Sequence, residues 1–526
     1  MRLNVRMPFT TLHLPEYSRS NDVGFSLLDY AIVGIYLVGV TLAGILLARR
    51  QKSSVDYFLG GRSMAWWSVG FSIVASETST LTFISVPGLA FAGNMHFLQL
   101  VFGYFVGRLL VSVLFIPAYY RGKLETAYDF LGKRFGRTLR TVTSSVFIVT
   151  RVLASGVRLF ATAIPVHIVT GYDYTTSILI IGLFTLCYTY LGGLRAVVAM
   201  DVVQLAIYLL GAGVAFSLIL HRLPDGWGSV VQAATAGGIN KFEIFNPGFG
   251  SGFIEFLESP YTILGGLVGG TFLSMASHGT DQLLVQRLLG CRSRRESQRA
   301  LLLDASLIVL QFVFFLLLGL ALFAFYGGST YQSMGLQSSD EIFPKFIVEE
   351  LPPGLAGLLI ASILASAMGT LSSSISSLAS SSYLDLFRST RRGQALGERG
   401  ELFWSRILTL FWGFMLIGGA AVFTDSRNPV VEIGLKIASV TYGGLLGTFF
   451  LGRFFRSATE RDALVGFACG LGAMVAVLVF TRIDYTWHTL IGCAVTITAG
   501  MITRGVLNTR KSGVSAGGGG AQGTAA

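Results

Sequence analysis

Long apolar segments with almost no charged side chains recur along nearly the whole chain. About 18 consecutive apolar residues are enough to cross a bilayer as a helix. Only 13% of the residues are charged, against about 25% in an ordinary soluble domain. We therefore predict an all-α integral membrane protein with about 13 transmembrane helices, at residues 25–48, 65–92, 96–119, 141–171, 174–193, 196–221, 260–285, 299–326, 356–387, 402–423, 430–452, 461–481 and 486–503.

The two ends of the chain differ from this pattern. Residues 1–24 lack the continuous apolar core of a secretory signal, so we expect the first helix to be retained behind an extracellular or periplasmic segment. Residues 25–505 are expected to form one transmembrane domain. The tail at 506–526 ends in GVSAGGGGAQGTAA, a low-complexity composition typical of a disordered segment.

The net charge of +11 has an uneven distribution. Most lysines and arginines lie in alternate loops, such as LARRQKS and QRLLGCRSRRESQR, and basic loops stay on the cytoplasmic side. We therefore expect a cell (inner) membrane protein with its N-terminus outside and its C-terminus in the cytoplasm. The basic balance orients the chain and does not indicate a nucleic-acid partner. The four cysteines match neither a disulfide framework nor a metal site.

Two of the predicted spans are interrupted at matching places. The second contains SETST and then Pro87-Gly88, and the seventh contains two Gly pairs followed by SHGTD. Each begins a set of five spans, and an odd number of spans per set gives the two sets opposite orientations. This pattern indicates inverted repeats, at about 64–221 and 260–453, with a binding site between them. Alternatively, the small residues only allow close helix packing.

The segment SAMGTLSSSISSLASSS at 366–382 gathers hydroxyl groups inside an apolar span. At helical spacing Ser366, Thr370, Ser373 and Ser377 share one stripe. A serine can bond back to its own helix, which explains scattered hydroxyls better than a dense patch. Hard cations prefer oxygen ligands, so hydroxyls with the carbonyls of a broken helix could bind Na⁺.

Two charged residues within predicted spans raise the question of their partners. Asp201 is expected near the cytoplasmic side and partly hydrated, and either a cation or a structural salt bridge would satisfy it. Arg158 lies halfway along its span and needs an anion, either Glu77 or a carboxylate of the solute. Arg108 and Arg151 raise the same question less sharply.

Four ordered motifs carry a resemblance to a known family. They are DYFLGGRSMAWW at 56–67, GGLRAVVAMDVVQ at 192–204, TDQLLVQR at 280–287 and ASAMGTLSSS at 365–374. With these motifs the chain resembles the sodium:solute symporter family over residues 29–505. The resemblance implies a LeuT-type fold, with one helix ahead of two inverted five-helix repeats.

The resemblance also implies ion sites. The main sodium site would use backbone oxygens of Ala75, Thr78 and Ser366 together with Gly369 and Thr370. Gly369 replaces the serine that is usual in the family, which removes one hydroxyl ligand. A second sodium, closer to the cytoplasm, would bind Asp201, Ser372 and Ser373.

For the solute, the resemblance implies a central cavity with seven candidate residues. STLTF at 79–83 resembles the sialic-acid branch, whereas the sugar-binding residues of the sodium/glucose branch are replaced by Val101 and Thr82. The segment VPGLAFAGNMHF departs from the sialic-acid pattern. We predict a carboxylate-bearing solute, sialic-acid-like or a monocarboxylate, bound by Ser79, Thr82, Gln99, Arg158, Ser274, Ser277 and His278.

The predicted function is sodium-coupled uptake of a small organic solute by alternating access, with Na⁺ as the only bound metal, no catalytic residues and a functional monomer. A sodium-coupled sugar or polyol symporter and a proton-coupled symporter are alternatives within transport. A membrane sensor that binds solute is the alternative from another class, and no signalling module is apparent after the last span. A channel or an enzyme is disfavoured because neither a repeated filter nor a nucleophile–base motif is present.

Overall fold

The computed structural model describes residues 25–46, 51–238, 240–248, 252–420 and 430–517. These residues contain many helices and, apart from an isolated bridge between Met64 and Cys291, no β-structure. The first half of the chain contains α1 (Leu27–Leu46), α2 (Ser54–Leu59), α3 (Trp66–Glu77), α4 (Thr80–Ala92), α5 (Phe97–Leu114), α6 (Ile116–Arg121), α7 (Ala127–Arg134), α8 (Arg137–Thr170), α9 (Tyr174–Arg222), α10 (Trp227–Thr235) and α11 (Phe253–Glu258).

The second half of the chain begins with a π-helical turn at Gly265–Gly269. Its elements are α12 (Gly270–Gly279), α13 (Gln282–Leu289), α14 (Arg294–Phe325), α15 (Ile342–Glu350), α16 (Leu355–Ser381), a π-helical turn (Ser382–Phe387), α17 (Arg391–Gln394), α18 (Glu398–Ala420), α19 (Val430–Phe454), α20 (Glu460–Phe480) and α21 (Tyr485–Gly517). Short 3₁₀ turns lie at Gly60–Arg62, Ala236–Gly238, Gln332–Met334 and Ser339–Glu341.

Within the described residues, eight helices are long and apolar enough to cross a membrane, and a ninth is added if the bent pair α3–α4 counts as one span. Where the structure describes them, all thirteen predicted spans fall on helical segments. The predicted boundary between the fifth and sixth spans appears as a break inside α9 at Gly193, whose φ of 57° and ψ of −162° are not helical. Glycine tolerates this positive φ.

Both predicted interruptions are present. The helices α3 and α4 are bent by 58° relative to one another, around Thr78 and Ser79. The helix α12 stops at Gly279, and α13 begins after Asp281, whose carboxylate caps it by accepting a hydrogen bond from the Leu283 amide at 2.9 Å. The inverted-repeat division at 64–221 and 260–453 stays a prediction.

The hydroxyl-rich helix α16 is the centre of the structure. It packs against α9, α8, α1, α18 and α3, and its residues are almost all buried. Asp29 of α1 accepts hydrogen bonds from the amides of Gly354 and Gly357, both at 2.7 Å. This carboxylate satisfies donors at the N-terminus of α16 and holds α1 against it.

The two chain ends can be compared with their predictions only in part. Residues 1–24 lie outside the described residues, as do 518–526. The disordered tail at 506–526 stays a prediction, and α21 is described as a helix to Gly517.

Candidate functional site

The break between α3 and α4 exposes backbone oxygens inside the protein. Thr78 leaves the helix with φ −77° and ψ 83°, and the Ser79 amide donates to Glu77 O at 2.9 Å. In a continuous helix that amide would donate to Ala75 O. The Ala75 carbonyl is therefore released from the backbone pattern and can bind another group.

The hydroxyl face of α16 meets this break. Ser366 Oγ donates to Thr78 O at 2.7 Å, and Thr370 Oγ1 donates to Ser366 O at 3.1 Å. An ideal Cβ on Gly369 would lie 3.9 Å from Ala75 O. The structure thus brings all five residues predicted for the main sodium site, Ala75, Thr78, Ser366, Gly369 and Thr370, into one region.

Gly369 leaves space beside two oxygens that have no hydrogen-bond partner. Its ideal Cβ would lie 3.1 Å from Gln204 Oε1 and 3.4 Å from Asp201 Oδ1. Both oxygens are buried without a hydrogen bond in the described part of the chain. Sequence reasoning missed Gln204, although it lies one helical turn after Asp201 inside a quoted motif, a spacing that puts both side chains on one face.

The other oxygen of Asp201 belongs to a buried ion pair. Asp201 Oδ2 accepts from Ser72 Oγ at 2.5 Å and from the Arg287 guanidinium at 3.0 Å. Arg287 also donates to Ser373 Oγ, to Ser72 Oγ and to Leu283 O. Asp201 and Arg287 are both 0% exposed. The expectation of a partly hydrated Asp201 is wrong, because this network excludes water from it.

Arg287 also occupies the neighbourhood of the predicted second sodium site. It pairs with Asp201 and donates to Ser373. The third predicted ligand, Ser372, donates to Gly369 O at 3.0 Å. In this structure the positive charge at that site is a guanidinium group.

Several hydroxyls of the stripe bond back to α16 itself. Ser373 donates to Gly369 O at 2.5 Å, Ser374 to Thr370 O at 3.0 Å, and Ser377 to Ser374 O at 3.0 Å. Hydrogen bonding within α16 therefore accounts for these three serines. The hypothesis of a sodium site depends on the residues nearest the break, Ser366 and Thr370.

A cavity with about 120 Å³ of space for water-sized molecules lies beside the break in α3–α4. It brings together six of the seven predicted solute residues, which are Ser79, Thr82, Arg158, Ser274, Ser277 and His278. Gln99 does not line it: its amide donates to Tyr261 O at 2.5 Å and accepts from the Asn246 amide at 3.1 Å. Gln99 therefore ties α5 to the loops around Tyr261.

Most charged groups around the cavity neutralise one another. Arg108 donates to Asp304 Oδ2 at 2.6 Å and also pairs with Glu77. Arg151 pairs with Asp281, which accepts a further hydrogen bond from Tyr442 at 2.6 Å. A buried charge is tolerated when it is paired and hydrogen-bonded, so these pairs satisfy the need that the sequence raised for Arg108 and Arg151.

Arg158 differs from its neighbours. Glu77, one of its two predicted partners, pairs with Arg108 and lies 2.7 Å from His278 Nε2. Within the described residues Arg158 makes no ion pair, and its Nε is buried without a hydrogen bond. It also lines a smaller cavity, with room for about one water molecule, together with Ser79 and Thr370. Arg158 therefore lies between the solute cavity and the hydroxyl face of α16.

This geometry agrees with what comparisons with known proteins find. The model of the sodium:solute symporter family matches residues 57–470. The chain belongs to this family. It is similar to the human sodium/iodide cotransporter, with 30% identity covering 85% of this chain and 69% of that protein. It is also 26% identical to the sodium/sialic acid symporter SiaT of Proteus mirabilis, covering 92% of this chain and 95% of that protein.

A solved structure supports the same assignment at the level of the fold. The substrate-bound outward-open state of a Na⁺-coupled sialic acid symporter matches with a TM-score of 0.81 and 26% identity, covering 92% of this chain and 98% of that one. The prediction of a LeuT-type helical membrane fold is confirmed. The protein is a sodium-coupled symporter of a multi-pass membrane family of transporters, with Na⁺ and a small-molecule solute as its partners.

Proposed function

We propose that this symporter takes up a small organic anion with a carboxylate group together with Na⁺, by alternating access. The observation that carries the proposal is Arg158, a guanidinium group at a cavity wall without an anionic partner in the described residues. Arginine binds carboxylates in a two-pronged geometry, and Ser79 and Thr82 offer hydroxyl donors in the same cavity.

The relatives support this choice of solute class. Those that are similar to this chain include the sialic acid symporter of Proteus mirabilis and the mouse sodium-coupled monocarboxylate transporter 1, the latter 30% identical over 86% of this chain. The names of both describe solutes that carry a carboxylate. The same chemistry suits Arg158.

Sodium would bind at the break in α3–α4. We infer that backbone oxygens of Ala75, Thr78 and Ser366 and the hydroxyl of Thr370 form most of its shell, in the arrangement described above. Gln204 Oε1 and Asp201 Oδ1, which border the space at Gly369, would compensate for the hydroxyl that glycine lacks. Hard cations take both neutral carbonyl or amide oxygens and anionic carboxylate oxygens as ligands.

A second sodium at Asp201, Ser372 and Ser373 stays a prediction with a specific obstacle. Two of these three side chains are bonded to Arg287, so an ion there would have to compete with the guanidinium group. Separation of Arg287 from Asp201 would be required before the site could fill.

Binding of sodium and binding of solute would be coupled because their two sites lie close together. Arg158 and Thr370 line one small cavity, so the ion would help to order the wall that holds the anion. One Na⁺ at −100 mV contributes about 2.3 kcal/mol, and a tenfold gradient adds about 1.4 kcal/mol. For a monovalent anion the electrical contribution cancels, which leaves only the concentration gradient unless further ions bind.

The topology follows from the positive-inside distribution of basic loops. We propose a cell (inner) membrane location, the N-terminus outside, the C-terminus in the cytoplasm, and a functional monomer.

Uptake by purified protein in proteoliposomes tests the proposal. Radiolabelled N-acetylneuraminate, pyruvate and glucose would be offered with an inward Na⁺ gradient, with a pH gradient alone, and with neither. We expect Na⁺-dependent accumulation of at least one of the two anions. Accumulation of glucose alone would favour the sugar alternative, accumulation driven by pH alone the proton-coupled one, and binding without flux the sensor.

A further inference from the structure

A cluster of charged residues in the wall of the solute cavity contains a histidine that neither sodium site uses. His278 of α12 is 1% exposed and lies between Glu77 at the end of α3 and Asp304 of α14. Its Nε2 lies 2.7 Å from Glu77 Oε1 and 3.5 Å from Asp304 Oδ2. Carboxylate oxygens at these distances favour the tautomer or charge state in which Nε2 carries a hydrogen.

The other ring nitrogen is placed so that it can be protonated or not. His278 Nδ1 lies 2.9 Å from Ser277 Oγ and 3.2 Å from Ser274 O. In the neutral ring the Ser277 hydroxyl can donate to Nδ1, whereas in the charged ring Nδ1 donates to the carbonyl or to that hydroxyl. Both protonation states are therefore satisfied without a change of backbone. Ser277 also lines the cavity, which gives the proton a route to solvent.

The charges of the cluster favour the protonated ring. Glu77 and Asp304 are two carboxylates, and Arg108 is the one cation that pairs with both of them. With a neutral His278 the cluster has a net charge of −1, and with a charged ring it is neutral. The three side chains Glu77, His278 and Asp304 are also close enough together to hold a metal ion, but Arg108 already occupies an oxygen of each carboxylate.

The same count of formal charges can be made for the whole wall of the cavity. Arg151 is balanced by Asp281, and Arg158 has no anionic partner among the described residues. With His278 neutral, the +1 of Arg158 is cancelled by the −1 of the cluster. Only with His278 protonated does the wall have a net positive charge for an anion.

In the described part of the chain, the elements packed around α12 carry further titratable groups. They are Tyr104 and Arg108 of α5, Glu77 of α3, Asp304 of α14, Asp281 and Arg287 at and after the start of α13, Tyr442 of α19, and Tyr485 and His488 of α21. Of these, Arg108, Glu77 and Asp304 form the cluster, Asp281 bonds to Arg151 and Tyr442, and Arg287 bonds to Asp201.

We propose that His278 is an exchangeable proton site of the solute cavity, and that a proton on His278 and the anion at Arg158 bind with mutual cooperativity. This inference rests on the proposed anionic solute. It adds a proton as a linked ligand, in contrast to a carrier in which Na⁺ alone sets the affinity for the anion.

Isothermal titration calorimetry of the full chain in lipid nanodiscs tests this. N-acetylneuraminate and pyruvate would be titrated at saturating Na⁺ over roughly pH 5.5 to 9, the range in which a perturbed imidazole titrates. We expect the Kd to rise by up to about tenfold per pH unit once the free protein loses the proton, because one proton is then taken up with each anion. Repeating the titration in buffers of different ionisation enthalpy counts that proton directly.

Two variants separate His278 from other groups. His278→Gln keeps a donor toward Glu77 but cannot change its charge, so its Kd is expected to be weak and independent of pH. His167→Gln is the matched control, since His167 of α8 lies outside the cavity and contacts Tyr172 O at 2.6 Å. That variant should keep the pH dependence of the unmodified protein.

The outcomes distinguish this inference from the proposed function. Anion binding with no proton uptake at any pH in the unmodified protein overturns the role of His278 and leaves the anionic solute standing, even if His278→Gln fails to fold. Proton uptake that persists unchanged in a folded His278→Gln variant also overturns it. Binding of glucose with no binding of either anion overturns the proposed function, and the linkage with it.

Discussion

Two arginines within the helices of this protein have opposite surroundings. Arg287 donates to one carboxylate, two serine hydroxyls and a backbone carbonyl. Arg158 is partly buried, lines two cavities and has no ion pair in the described part of the chain. The sequence singled out Arg158 as a charge halfway along a span, whereas Arg287 appeared only as the last residue of the motif TDQLLVQR.

The difference indicates that Arg287 stabilises the fold, whereas Arg158 is available to bind a ligand. A guanidinium group whose donors all have partners contributes to the folded state and offers nothing to a solute. One that lacks partners carries a desolvation cost, which an anionic ligand would offset. The comparison therefore predicts that replacing Arg287 lowers the stability of the protein, whereas replacing Arg158 weakens solute binding.

The largest effect is expected for Arg287→Met. Removing one member of a fully buried pair leaves Asp201 uncompensated, which typically costs about 3–5 kcal/mol. We expect a large loss of folded protein and a much lower unfolding temperature in detergent. Arg158→Met is the matched control and should unfold at the temperature of the unmodified protein or slightly above it. Equal destabilisation by both substitutions would contradict the comparison.

Next in size is the effect of Arg158→Met on the solute. A hydrogen bond to a charged group is worth about 1.5–3 kcal/mol, so the affinity for the transported anion should fall by about 10- to 100-fold. Binding by calorimetry at saturating Na⁺ measures it. Arg222→Gln, which removes a half-exposed pair with Glu350 far from the cavity, should leave that affinity unchanged. An unaltered Kd in Arg158→Met would contradict the assignment of Arg158 to the solute site.

A smaller effect is expected for Thr370→Ala. Losing one neutral oxygen ligand should raise the Na⁺ concentration for half-maximal uptake by about tenfold. Thr448→Ala on α19 is a close control, because its hydroxyl makes the same bond to the carbonyl four residues earlier, at 2.8 Å. If both variants keep the sodium dependence of the unmodified protein, the main sodium site lies elsewhere.

The smallest effect concerns Gly369→Ser, which restores the family's usual hydroxyl. We expect sodium affinity to rise about threefold, a gain of about 0.6 kcal/mol, limited because Gln204 must move by a few tenths of an ångström to admit a Cβ. Gly369→Ala adds the Cβ without the oxygen. Sodium binding followed by thermal stabilisation separates them, and identical behaviour of the two variants would show that the hydroxyl binds no ion.

Much of the site could be predicted from local pattern. The run SETST and the pair Pro87-Gly88 indicated a broken helix, and the bend lies at Thr78 and Ser79. The hydroxyl stripe indicated which helix faces that break, and Ser366 does bond to Thr78 O. These inferences rest on spacing within one helix, where the positions of side chains follow from the 3.6-residue period.

Other parts could not be predicted in this way. Gln99 was expected at the solute and instead bonds to Tyr261 and Asn246. Asp201 was expected to be partly wet and is sealed by Arg287, a residue 86 positions away along the chain. Which of two carboxylates or cations pairs with a given arginine depends on how helices from both halves of the chain pack.

The amino-acid order by itself determined that this chain lies in a membrane, where its helices break, and which residues carry charge or hydroxyl groups into the apolar interior. Composition and periodicity act locally, so they needed no knowledge of neighbours. The tertiary structure alone decided which of those polar groups are satisfied. Pairing energy depends on distances of a few ångströms between remote segments. The packing left Arg158, Gln204 Oε1 and Asp201 Oδ1 available to ligands, whereas Arg287 is fully paired.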